Sequence, residues 1–188
     1  VHGRVLTDYG IEAGLAVVVE DERIIAVVPA MAALQPTPQV HDLQGAILLP
    51  GYIARQVNGG GRVLFNNSPD VESLAAIGRA HRRFGTTGFL PTLISDDAQV
   101  MQAAITATRS AIAQRVPGVL GIHLEGPYLA PARKGTHDAA KFRIPDAAEI
   151  RVATSLDNGC TLITLAPEEV PVETMRMLAA AGVLLCAG

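Results

Sequence analysis

The chain has 188 residues, 49% of them hydrophobic and 18% charged, with a net charge of −3; this is ample apolar material for a buried core and excludes a disordered composition. Lys and Arg form no run longer than Arg82-Arg83 and there is no tryptophan, so neither a basic stripe nor a stacking platform suggests a nucleic-acid partner. The longest apolar stretches, residues 46–49 and 179–187, fall far short of the roughly 18 residues of a membrane span, and the N-terminus lacks a cleavable signal pattern. A soluble, cytoplasmic protein with no membrane partner is expected.

Cys160 and Cys186 are 26 positions apart without C-x-x-C spacing, which argues against a zinc ribbon, a redox pair or a disulfide scaffold. Both read as ordinary buried thiols.

Along the chain, residues 15–20 and 23–28 are β-branched runs split by the acidic pair Asp21-Glu22, the pattern of a hairpin. Residues 30–39 carry Pro36 and Pro38 and predict a short helix or loop that ends there. Residues 1–45 are therefore expected to form a small, sandwich-like β subdomain. A β segment at 46–49 leads into Pro50-Gly51, and from there short apolar strands alternate with helical stretches, the rhythm of βα units on a parallel sheet.

Ser68 with Pro69 behind it predicts the cap of a first helix ended by Gly85, whose buried stripe would be Val71, Leu74, Ile77 and Phe84. A strand follows at 87–90. Ser95 predicts a second cap, with Met101, Ile105 and Ile112 as the buried stripe. A strand at 118–124, a helix at 145–158, a strand at 161–165, a helix opened by Pro171 and closed by Gly182, and a strand at 183–187 complete the series. The expected fold is α/β: a partial TIM-type (β/α) barrel of about five strands over residues 46–188, fewer than the eight that close such a barrel. An open edge of this kind invites pairing with another copy.

The most informative stretch is Gly121-Ile122-His123-Leu124-Glu125-Gly126-Pro127. Strand side chains alternate with period 2, so His123 and Glu125 share one side, and Glu125 falls where the strand ends. A carboxylate at the C-terminal mouth of a parallel strand occupies the position where barrel enzymes place catalytic groups, and its hard oxygen suits a divalent cation. A salt-bridged strand-end residue would look the same in sequence. Gln56 and Asn58 also share a face, and as amides they either meet a ligand or hydrogen-bond the barrel floor. His123 is open to two readings, a structural histidine or an orienting group behind a ligand. Arg133, Lys134, Thr136 and His137 bring donors into the loop after Glu125. No phosphate-loop or dinucleotide-binding glycine fingerprint is present. His2, His41 and His81 join no constellation, and Asp157, Glu168 and Glu169 read as solvated.

His123-Leu124-Glu125-Gly126-Pro127 followed by Lys134-Gly135-Thr136-His137 resembles the signature of the N-acetylglucosamine-6-phosphate deacetylases, members of the amidohydrolase superfamily. Pro50-Gly51-Tyr52-Ile53, Leu90-Pro91-Thr92-Leu93 and Thr164-Leu165-Ala166-Pro167-Glu168 resemble that family's first, second and fourth barrel strands. The resemblance spans the family's N-terminal half. It implies hydrolysis of the acetamide of N-acetylglucosamine-6-phosphate to glucosamine-6-phosphate and acetate, with Glu125 as a metal ligand and Thr136 and His137 on the sugar phosphate. It also implies one divalent metal, with zinc the expected ion, and a homodimer for the full-length protein.

Many amidohydrolases hold a second metal with His-x-His where this chain has Gln56 and Asn58. Amides are poorer ligands for zinc-like ions, so one metal is expected, with Gln56, Asn58 and His123 as orienting or vestigial second-metal positions. Ala54, where an acidic residue is usual, points the same way. The resemblance places two metal histidines and the general-base aspartate beyond Gly188, so the 188 residues alone hold no catalytic residue and are expected to be inactive. Two alternatives are a hydrolase acting on another amide, dihydroorotase-like or D-aminoacylase-like, and a non-catalytic sugar-phosphate binding protein. The first of these would be expected to show histidines at 56 and 58.

Overall fold

The computed structural model describes residues 1–32 and 39–188, so most of the helix or loop expected at 30–39 lies outside the described residues. Two compact units are present, Val1–Pro50 and Gly51–Gly188.

In the first unit, β1 (Arg4–Thr7) pairs antiparallel with β2 (Gly10–Ala13), and β3 (Leu15–Glu20) pairs with β4 (Arg23–Pro29) as the expected hairpin. Asp21 turns that hairpin at φ +53, a left-handed conformation that Asp tolerates better than most residues. β5 (Ile47–Leu48) runs parallel to β1, with Arg4 opposite Ile47 and Val5 opposite Leu48. The segment read as the start of the barrel domain thus completes the small sheet instead. Its apolar pattern suits either sheet, and the unpaired edge of β1 decides between them.

The second unit contains β6 (Tyr52–Val57), a two-stranded turn of β7 (Gly59–Gly60) and β8 (Val63–Leu64), α1 (Val71–Arg82), β9 (Thr86–Ile94) and α2 (Ala98–Ala113). It continues with β10 (Gly121–Glu125), α3 (Ala147–Ala153), β11 (Cys160–Leu165), α4 (Val172–Ala180) and β12 (Leu184–Ala187). The five long strands form one parallel sheet in the order β12-β11-β10-β9-β6. This is the α/β partial barrel, with a small N-terminal β region preceding it.

Both faces of the central strands are buried, as expected where helices cover one face and a barrel interior the other. Phe89, Leu93, Ile122, Leu124, Ile163 and Leu165 join Leu74, Ile77, Met101 and Ile105 in a single apolar core. Burying each such side chain contributes about 1.5–3 kcal/mol. On the opposite face the register sets His123 beside Thr92 on β9, and Glu125 beside Thr164 on β11. Strand pairing therefore sets Thr92 and His123 at one level and Thr164 and Glu125 at the next, on one polar face.

The helix starts differ from the sequence reading. Asp70, not Ser68, caps α1, its carboxylate accepting the Ser73 N–H at 2.7 Å. Phe84 lies past the helix end and is 81% exposed, outside the buried stripe. Asp97, not Ser95, stands at the start of α2 and makes no side-chain cap bond. In each case an acidic residue adjoining the first helical turn occupies the N-cap position, where the helix dipole favours a negative charge. The third helix is shorter than the expected 145–158, spanning Ala147–Ala153. Cys160 and Cys186 are free and half-buried.

Asp146 caps α3 by accepting the backbone N–H groups of Ala148 and Glu149, at 2.7 and 2.8 Å. Those bonds, Glu149's first, hold its carboxyl below its ordinary 3.8. A carboxyl with a depressed folded-state pKa stabilises the fold above its unfolded value, and that contribution disappears as pH falls through the folded value. Asp146→Asn is therefore expected to flatten the acid limb of the stability curve below about pH 4. Urea titrations of both proteins between about pH 2 and 6 check this, and parallel curves would refute it.

Candidate functional site

β10 delivers Glu125 to its C-terminal end with the side chain 21% exposed. Gln56 Nε2 donates a hydrogen bond to its Oε2 at 2.9 Å. His137, in the loop after β10, brings Nε2 to 3.9 Å from its Oε1. Residues 69 positions apart in one case, and drawn from strand and loop in the other, thus converge on one carboxylate.

Gln56 reaches Glu125 because β6 is irregular. Ala54 lies opposite Phe89 and Val57 opposite Pro91, so three steps of β6 span two of β9. Ala54 and Val57 both pack against the core, and the extra residue of this bulge leaves Gln56 on the carboxylate side. Among the described residues Asn58 has no side-chain hydrogen bond. Its carbonyl accepts the Phe65 N–H at 2.9 Å.

His123 is buried beneath the carboxylate, 4% exposed, with Nδ1 3.3 Å from Thr92 Oγ1 and Nε2 2.8 Å from Thr164 Oγ1. Thr92 Oγ1 also accepts the Val57 N–H at 2.9 Å. Burial pushes the His123 pKa down, opposed by the negative Glu125 two residues on. Both ring nitrogens already have partners. His123 therefore ties β9, β10 and β11 together, and this favours the structural reading over direct contact with a ligand.

The loop from β10 to α3 is anchored to the turn between β9 and α2. Ser95 Oγ lies 2.8 Å from His137 Nδ1, Arg143 Nη1 donates to the Asp96 carbonyl at 3.0 Å, and Lys141 pairs with Asp97. Arg143 also forms an ion pair with the buried Glu149 at 2.6 Å. Gly126 must be glycine here, since at φ +80 an added Cβ would stand 2.3 Å from Ser95 Oγ. Arg133, Lys134 and Thr136 are exposed, whereas His137 is buried.

Sequence reasoning missed Ser95, which it read as a helix cap, and gave no role to Thr92 and Thr164. Thr92 lies opposite His123 and Thr164 opposite Glu125, within reach of the His123 ring, a relation visible only once the register is known. His81 also does more than its sequence position suggested, its Nε2 bonding the Gly59 carbonyl at 2.9 Å.

A carboxylate part-exposed at a strand mouth fits a divalent cation as one hard oxygen ligand. Among the described residues no group of three or more His, Cys, Asp or Glu could hold a metal ion.

Over 186 residues the chain is 41% identical to N-acetylgalactosamine-6-phosphate deacetylase of Shewanella sp. (strain ANA-3), covering 98% of this chain and 47% of that protein. It is 31% identical over 188 residues to N-acetylglucosamine-6-phosphate deacetylase of Haemophilus influenzae, covering 98% of this chain and 48% of the relative. The crystal structure of N-acetylglucosamine-6-phosphate deacetylase from Pasteurella multocida superposes with a TM-score of 0.92 at 31% identity, over 100% of this chain and 49% of that one. The chain corresponds to the N-terminal half of this deacetylase family. The Mycobacterium smegmatis enzyme of the family superposes at a TM-score of 0.80 and 25% identity, over 98% of this chain and 48% of that one. The chain thus spans about half the length of the deacetylases it matches. No protein-family model matches it. Among the described residues no helix is long and apolar enough to cross a membrane.

Proposed function

We propose that the full-length protein removes acetate from the nitrogen of an N-acetylhexosamine 6-phosphate. The observation that carries this reading is the meeting of Gln56, Glu125 and His137 at the C-terminal end of β10, in a chain aligned along 98% of its length with deacetylases.

In this proposal Glu125 is one ligand of a single divalent metal, with zinc the expected ion, and the other ligands lie outside residues 1–188. The ion, when bound, supplies Lewis-acid activation of water and of the amide carbonyl. Gln56 orients the Glu125 carboxylate through its amide N–H. The resemblance puts His137 with Thr136 on the sugar phosphate; because it stands 3.9 Å from the Glu125 carboxylate, it is proposed to meet the amide end of the substrate instead. The exposed Thr136, with Arg133 and Lys134 nearby in sequence, is left for the phosphate at the opposite end of the sugar, where positive potential favours an anion. Because one carboxylate does not retain a catalytic ion, residues 1–188 alone are proposed to be inactive. A homodimer of the full-length protein belongs to the same proposal.

The identity to the Shewanella protein favours a second reading of the sugar, N-acetylgalactosamine 6-phosphate in place of its glucosamine epimer. Acetate release by the metal-loaded full-length protein on both epimers, with metal counted by inductively coupled plasma analysis, tests all of this. Hydrolysis of neither epimer by a folded, metal-loaded enzyme would overturn the deacetylase reading. Stoichiometric zinc or turnover in residues 1–188 would overturn the claim that this half is inactive.

A further inference from the structure

We infer that Ser95 is a positioning residue that holds His137 in the tautomer with its proton on Nε2, so that an unspent N–H donor faces the site beside Glu125. The inference deepens the deacetylase reading, in which His137 touches the substrate.

The Ser95 backbone N–H donates to His137 Nδ1 at 3.3 Å, and Ser95 Oγ lies 2.8 Å from the same nitrogen. A backbone N–H can only donate, so Nδ1 must offer its lone pair. A proton on Nδ1 would set two hydrogens against each other. In the neutral ring the proton then resides on Nε2. There it has no hydrogen-bond partner among the described residues, because Glu125 Oε1 at 3.9 Å is too far for a hydrogen bond. The donor is therefore available to an oxygen acceptor on a ligand entering beside the carboxylate.

The turn that carries Ser95 is braced. Asn66 Oδ1 accepts the Ile94 N–H at 3.0 Å while its Nδ2 donates to the Ile94 carbonyl at 3.1 Å and to Asp96 Oδ2 at 2.9 Å. Arg143 holds the Asp96 carbonyl from the other side. Ser95 is 6% exposed and His137 8% exposed, so water does not compete readily for Nδ1. A serine whose only task was to start α2 would need neither this burial nor this contact, and Asp97 occupies that place.

Nitrogen NMR of the histidine-labelled full-length protein tests the inference, with His137→Gln assigning the signal. The wild type is expected to show an unprotonated Nδ1 and a protonated Nε2. Ser95→Ala keeps the backbone N–H and removes only the hydroxyl contact. It is expected to leave the proton on Nε2 but free the ring to move, lowering kcat about tenfold or more with a smaller change in KM and a near-native melting temperature. A proton on Nδ1 in the wild type overturns the inference, and so does a Ser95→Ala protein that keeps the wild-type kcat. The wild-type spectrum requires no variant to fold. It also reads the tautomer in a protein that shows no deacetylation, which separates failure of this inference from failure of the proposed function.

Discussion

Glu125→Gln is expected to abolish stoichiometric metal in the full-length protein and to lower deacetylation roughly a thousandfold or more, since several kcal/mol of charge stabilisation disappear with the ion. The substitution is nearly isosteric. Gln56 Nε2 now donates to Glu125 Oε2 at 2.9 Å, and a glutamine carbonyl can accept that same bond. The side chain is part-exposed, so loss of its charge leaves no buried ion uncompensated. Stability should accordingly stay within about 0.5 kcal/mol of the parent, the range of surface substitutions away from the core. The decisive comparison is metal per chain, acetate release and thermal melting on one preparation. Retention of the metal with turnover within about tenfold of the parent would remove Glu125 from the ligand set.

Gly121→Ala is expected to be the most damaging single-methyl change in the sheet. Gly121 lies opposite Cys160 where β10 and β11 begin to pair. A Cβ at this position would stand 1.9 Å from the Cys160 carbonyl oxygen and 2.6 Å from its nitrogen. Those are backbone atoms, so no side-chain rotation relieves the contact and the two strands must separate. β10 is the central strand of the five, and its displacement would carry His123 away from Thr164 and Glu125 away from Gln56. We expect a loss of about 3 kcal/mol or more, at the upper end of overpacking penalties, and a melting temperature lower by roughly 10 °C. Chemical denaturation followed by circular dichroism measures this. A loss below about 1 kcal/mol would show that the strands accommodate the methyl group.

Much of this site was legible in the chain. Strand alternation put His123 and Glu125 on one side and placed Glu125 at the strand end, as the register confirms for the strand itself. Apolar periodicity marked the first two helices and proline and glycine signals the other two of the four among the described residues, although the first two start at the nearest acidic residue, as at Asp70. The hairpin at 15–29 followed from β-branched runs around an acidic turn. These features are local: each depends on residues within one or two turns or a single strand.

Other features required the tertiary structure. The bulge in β6 turns Gln56 toward Glu125, a contact across 69 positions, and no pattern within residues 52–58 announces an extra residue there. Ser95 carries every mark of a helix cap in sequence, yet the loop folding back across 42 positions makes it a partner of His137. The segment Ile47–Leu48 suits either sheet and goes to the one with an open edge. Local chemistry thus determined which elements form and which face of β10 is polar. Strand register and loop return decided which side chains meet, because these depend on burying the whole sheet at once and not on any neighbouring residues.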